Sequence, residues 1–195
     1  MGESPEQLYE RARDHLRMPP VAEWETFPFD GELRPRGLKP PDLAERPRVG
    51  EDPADCWRCQ RGEAVSIWSD ERWILTPSQE PTGLPVVVLL FPREHVDIDG
   101  LSPELATELG PMLVRVERAV REIGEIGRVH VCRWGDGSFH LHWWFMARPA
   151  RLPQLIGSFA AVWDDVLPPT PEALWRENLA AVARALAADG GSAHV

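Results

Sequence analysis

Phe139-His140-Leu141-His142-Trp143-Trp144-Phe145-Met146, residues 139–146, follows the glycine turn Gly135-Asp136-Gly137 and changes character at every step. Side chains of an extended strand point to opposite faces in turn. Phe139, Leu141, Trp143 and Phe145 therefore share one face, and His140, His142, Trp144 and Met146 share the other. The two imidazoles fall on one side of a sheet with Cα atoms roughly 6.5 to 7 Å apart, near enough to serve one site in different roles. A lone histidine on a strand is most simply structural, but a pair at this spacing points to chemistry. Arg128 to Trp134 reads as the partner strand of a hairpin closed by the glycine turn. Within it His130 and Cys132 read as structural, and Arg133 and Asp136 as solvated hairpin residues.

Working outward, the stretch before this hairpin is helical. Ser102-Pro103-Glu104 supplies an N-cap, a first-turn proline and a first-turn acid. Leu105, Leu109, Leu113, Val116, Val120 and Ile123 then recur at spacings of 4, 4, 3, 4 and 3, which predicts one long helix over 102–123 with Pro111 as a point of kinking. Upstream again, 65–68, 73–76 and 85–91 are short β-like runs separated by turn signals. Downstream, Glu172 to Ala188 predicts a terminal helix after Pro168-Pro169-Thr170-Pro171.

Cys56-Trp57-Arg58-Cys59 is the second chemical feature. A two-residue gap lets both thiolates take corners of a zinc tetrahedron. A redox pair would require a strand before the motif and a helix beginning at it, whereas a proline-rich segment precedes it here, so metal is the favoured reading over redox chemistry or two unremarkable thiols. Two more ligands must come from far along the chain. His95, in Phe91-Pro92-Arg93-Glu94-His95, and His140 or His142 are the candidates.

The chain has 195 residues, a prior for one compact domain with an added arm. Its 21 Lys+Arg against 31 Asp+Glu give a net charge of −10, which disfavours a DNA or RNA polymer as partner but leaves a small nucleotide open. The longest apolar run, Val86 to Phe91, has six residues, far short of a membrane helix. Met1-Gly2-Glu3-Ser4-Pro5-Glu6 has neither the basic start nor the apolar stretch of a secretory signal, and the three cysteines are an odd number, so a cytoplasmic, reducing location is expected. Residues 4–17 predict a short helix. Prolines at 19, 20, 28, 35, 40, 41, 47 and 53 then describe an arm whose Trp24, Phe27 and Phe29 give it apolar surface to pack. The expected organisation is an N-terminal helix and arm over 1–55, a core over 56–150 and a C-terminal extension over 151–195.

From Cys56 to Pro149 these residues, taken in order, resemble the histidine triad family, which includes small nucleotide hydrolases and galactose-1-phosphate uridylyltransferases. The resemblance runs through the C-x-x-C pair, the strand ending Pro92-x-x-His95, the Leu101-Ser102-Pro103-Glu104-Leu105 helix start and His140-Leu141-His142-Trp143-Trp144. It implies an α+β fold: an antiparallel sheet, one long helix, a structural zinc site, the proline-rich arm and the C-terminal helix. It also implies zinc ligation by Cys56, Cys59, His95 and His140, with His142 as a nucleophile forming a nucleotidyl-histidine. The implied partners are a nucleotide or nucleotide-derived small molecule and a second copy of the chain in a homodimer.

Two features depart from the family pattern. The third triad histidine is replaced by Trp144, whose indole offers one neutral N–H and no acid, and the usual Pro-Arg that follows is inverted as Arg148-Pro149. Ser138 and Gln154 are candidate phosphate contacts, weighed against ordinary roles as turn and loop polar groups. The expected function is a nucleotidyl hydrolase or transferase. The alternatives are a catalytically weak or inactive nucleotide-binding or interaction module stabilised by zinc, and a redox or zinc-storage protein based on Cys56 and Cys59.

Overall fold

Six apolar residues in a row cannot be half-solvated, and in the computed structural model Val87–Pro92 (β3) lies inside the sheet, paired on both edges. The structure describes residues 14, 27, 29, 31–33, 37 and 40–195. The helix expected over 4–17 and much of the arm, Trp24 included, lie outside the described residues. β1 (Trp68–Ser69), β2 (Trp73–Pro77), β4 (Ile126–Cys132), β5 (Trp143–Pro149) and β6 (Ser192–Ala193) complete an antiparallel sheet in the order β4-β5-β3-β2-β1-β6. Among the described residues four helices accompany it: α1 (Trp57–Arg61), α2 (Pro103–Arg121), α3 (Ala160–Val166) and α4 (Glu172–Ala188).

The pleat sorts the sheet into two faces. Val88 and Leu90 of β3, Leu75 of β2 and Phe145 of β5 point into the main core, where Leu105, Met112, Val116 and Val120 of α2 and Trp175, Leu179, Val182 and Leu186 of α4 cover them. Val87 and Met146 point the other way and meet Leu84, Leu155 and the partly buried Trp144, Trp163 and Leu167. Trp143 packs on the first cluster and Trp144 on the second, as the alternation predicts. Within the arm, Phe27 packs edge-on against Phe159, with ring centroids 5.5 Å apart.

α2 starts where the sequence places it, with Ser102 Oγ accepting from the Leu105 N–H at 3.2 Å and Pro103 in its first turn. It continues through Pro111 and ends at Arg121, two residues before the expected Ile123. The hairpin differs more. β4 ends at Cys132 and β5 begins only at Trp143, so His140 and His142 precede the strand instead of lying within it. Their segment is tied elsewhere: the Val49 N–H donates to the Gly137 carbonyl (3.0 Å), the Phe139 N–H to Val49 (3.1 Å) and the Leu141 N–H to Val96 (2.8 Å). Backbone groups satisfied by the arm and by the β3 exit are not available to the β4–β5 ladder. Arg133, expected to be solvated, is instead ion-paired to the buried Asp97 carboxylate, which Arg48 also binds. Among the described residues no helix is long and apolar enough to cross a membrane.

Candidate functional site

The C-x-x-C motif occupies one helical turn. Asp52 caps the short turn Pro53–Asp55 by accepting from the Ala54 N–H, Cys56 is the N-cap of α1, and Cys59 lies one turn further on. His95 comes from the β3 exit and His140 from the segment before β5. The structure gathers one donor atom from each of Cys56, Cys59, His95 and His140 to within 4.8 Å of one another. Cys59 Sγ lies 3.3 Å from His95 Nδ1 and 3.7 Å from His140 Nδ1, and Cys56 Sγ lies 3.4 Å from His140 Nδ1. Bonds of about 2.3 Å to sulfur and about 2.0 Å to nitrogen put S and N of a zinc tetrahedron about 3.6 Å apart, so these separations fit that ion.

The far side of each imidazole agrees with this. His140 Nε2–H donates to the Pro92 carbonyl at 2.9 Å, and His95 Nε2 lies 3.4 Å from the Glu51 carbonyl. A ring that donates from Nε2 presents the bare lone pair at Nδ1, the form a metal needs. Burial pulls the His140 imidazole down to about 4, so it is neutral at physiological pH. Burial, and then the neighbouring Cys56 thiol, push the Cys59 thiol up to about 11. A divalent cation reverses that second shift, because a coordinated thiol gives up its proton. Of the histidines offered by the sequence, His95 and His140 join the cysteines, and His142 does not.

His142 lines a cavity of about 510 Å³ on the second face of the sheet, shared with Ser138, Trp144, Leu89, Phe91, Arg58 and Thr76, with Thr82 and Asp164 also on its wall. Its Nδ1–H donates to the main-chain carbonyl of His140 at 2.9 Å, which leaves Nε2 as the basic nitrogen. The Trp144 ring stands 6.1 Å from that of His142, and its buried Nε1–H has no hydrogen-bond partner among the described residues. Gln154 sits exposed on the turn Pro153–Leu155 and is not part of the cavity wall.

Two charged residues near the site escape a reading of the sequence. Asp97, two residues after His95, is buried and binds Arg48 and Arg133, tying the arm, the β3 exit and the β4 exit together beside the candidate metal ligands. Arg58 is 3 % exposed and lines the cavity. Its position inside the C-x-x-C motif is the only sequence sign of constraint. A larger open groove of about 830 Å³, around Arg72, Arg93 and Arg115, contains none of the candidate residues.

No protein-family model matches the chain, and no curated protein matches it in sequence. Solved structures do. A zinc-bound histidine triad family protein from Mycobacterium smegmatis is 23 % identical with a TM-score of 0.50, the match covering 70 % of this chain and 99 % of that one. A histidine triad protein from Bradyrhizobium japonicum is 20 % identical with a TM-score of 0.50, covering 63 % and 90 %. One from Marinobacter aquaeolei is 19 % identical with a TM-score of 0.50, covering 65 % and 93 %. The antiparallel sheet with the long helix across it is accordingly the histidine triad fold.

Proposed function

We propose that the protein is a nucleotidyl hydrolase or transferase that works at the α-phosphorus of a nucleoside phosphate derivative through His142. One observation carries this reading: His142 lies in a cavity with Nδ1 engaged by the His140 carbonyl, so Nε2 is the ring nitrogen left free for chemistry there. Nε2 attacks the phosphorus, an N–P bond forms, and the bond from phosphorus to the leaving group breaks with the electron pair going to that group. Water, or an acceptor hydroxyl in a transferase, then attacks the nucleotidyl-histidine, loses its proton to solvent and restores the imidazole. Ser138 Oγ–H and Trp144 Nε1–H are the neutral donors that meet phosphate oxygens. Gln154 enters this reading only if its turn moves toward the cavity.

Zinc at Cys56, Cys59, His95 and His140 is structural in this proposal. With four protein ligands it has no open position for substrate, and it fixes the segment that carries His142. Trp144 cannot protonate a leaving group, and general acid help is worth about 10²- to 10⁴-fold, so the enzyme favours groups that depart as stable anions, such as phosphates. The same substitution favours a second reading, a zinc-stabilised nucleotide-binding module without turnover. A homodimer and a cytoplasmic location belong to both readings, and light scattering and cell fractionation check them.

The deciding experiment is intact-mass spectrometry after incubation with nucleoside phosphoramidates, dinucleoside polyphosphates and nucleotide sugars. The first reading expects a nucleotide-sized adduct or product that disappears in His142→Ala while zinc content is retained. Undiminished turnover by that variant overturns it, and binding without adduct or product selects the second reading.

A further inference from the structure

Apart from histidines, two charged side chains are buried among the described residues, and they differ in one respect. Asp97 is paired with two arginines. Arg58 has no carboxylate within ion-pair distance among the described residues. Its Nη1–H donates to Thr76 Oγ1 at 2.8 Å, and its Nη2, also buried, has no hydrogen-bond partner there. The guanidinium lies beside the rings of Trp57 (5.8 Å) and Phe91 (5.7 Å). A buried cation without a counter-ion is costly, and folds retain one where something else supplies the charge.

Arg58 and His142 line the same cavity and flank the same ring, with the His142 and Phe91 centroids 5.7 Å apart. The other polar groups on the wall near His142, Ser138 and Trp144, are neutral donors, and Arg58 is the lining's one permanent cation. At another part of the wall stand Asp164 and Asp165, which repel an anion. A negatively charged group entering the cavity is therefore drawn to the Arg58 end.

We propose that Arg58 is the anion contact of this cavity, its guanidinium donating to a phosphate oxygen of the ligand that His142 faces. A planar guanidinium held on one side by Thr76 and flanked by two aromatic rings is already oriented for such a charge-assisted bond. It places on the α1 side of the cavity the positive charge that Trp144 cannot provide on the β5 side. The C-x-x-C geometry explains how it is held: Cys56, two residues before it, and Cys59, the residue after it, both belong to the candidate metal cluster, so those ligands also position the arginine. The inference rests on the proposed nucleotide reading for the class of ligand, but not for the presence of the anion site itself.

The test uses the full-length, zinc-loaded protein and titrates inorganic phosphate and nucleoside monophosphates by calorimetry. Arg58→Gln is expected to weaken binding at least about tenfold, the equivalent of one charge-assisted hydrogen bond, with Arg58→Lys recovering part of the loss. Affinity of Arg58→Gln within twofold of the unaltered protein, or no binding of any of these probes by the unaltered protein, overturns the proposal. Should Arg58→Gln lose its zinc, nitrogen NMR of the unaltered protein decides. The Arg58 Nε resonance, identified by its absence in Arg58→Lys, shifts saturably with phosphate if the proposal holds and stays fixed if it fails. A His142→Ala protein that retains turnover while Arg58 still governs phosphate affinity overturns the catalytic reading alone.

Discussion

The carbonyl of His140 accepts from Nδ1–H of His142 at 2.9 Å, while the imidazole of the same His140 lies 3.4 Å from Cys56 Sγ in the cluster. One residue thus joins the candidate metal centre to the candidate nucleophile, its side chain serving one and its main chain the other. His140→Ala should therefore lower zinc occupancy and, although His142 is untouched, reduce turnover by about 10- to 100-fold, the usual effect of losing a metal site's supporting partner. Metal analysis beside kcat measures both. Loss of zinc with full turnover would show that the two sites are not coupled.

Chelation follows from the same geometry. Residues 137–141 are held by bonds to Val49 and Val96 and by the cluster, not by a strand ladder. Stripping the metal should lower the melting temperature and convert Cys56 and Cys59 from slow to fast labelling by a thiol reagent, because ligation and folding share one free energy. Cys132, distant from the cluster in sequence and partly buried, provides the internal comparison. Rapid labelling of Cys56 and Cys59 before any chelator is added would count against bound metal and revive a thiol-based role.

Trp144 offers a gain-of-function test. An imidazole at this position can donate a proton as well as a hydrogen bond, so Trp144→His should raise turnover of substrates with poor leaving groups by up to about 10²-fold and change good ones little. The slope of rate against leaving-group acidity is the measurement. An equal change across the series would assign Trp144 to packing against Trp134, whose ring centroid is 5.7 Å away.

The sorting of residues 143–146 onto two faces, the bounds of α4 and the start of α2 were legible because each follows from local periodicity or capping. The candidates for the four-residue cluster were legible in the residues, but the choice of His140 over His142 came only through a resemblance covering the order of its pieces, since nothing local in the sequence brings either histidine within reach of Cys59. The start of β5 was not, because the bonds that hold 137–141 come from Val49 in the arm and Val96 at the β3 exit, and periodicity carries no information about partners so distant in sequence. Arg58 and Arg133 were missed for a related reason: an arginine is exposed by default, and its burial or pairing is decided by which element packs on it.

Asp97 shows how one such pairing sets a pH dependence. Burial raises its carboxyl, but hydrogen bonds from Arg48, the Ile98 N–H and Arg133 more than offset this and hold it below the usual carboxylate range. A carboxyl with a depressed folded pKa binds fewer protons when folded than when unfolded. Its stabilisation is complete above the unfolded value of about 3.9 and disappears as pH falls through the folded value. Asp97→Asn should cost about 2 kcal/mol near neutrality, since two arginines lose their charged acceptor, and should flatten the acid limb of the stability curve. Urea unfolding of both proteins between pH 7 and 3 measures it. A constant difference across that range would mean that Asp97 contributes through shape and the Ile98 cap, not through its charge.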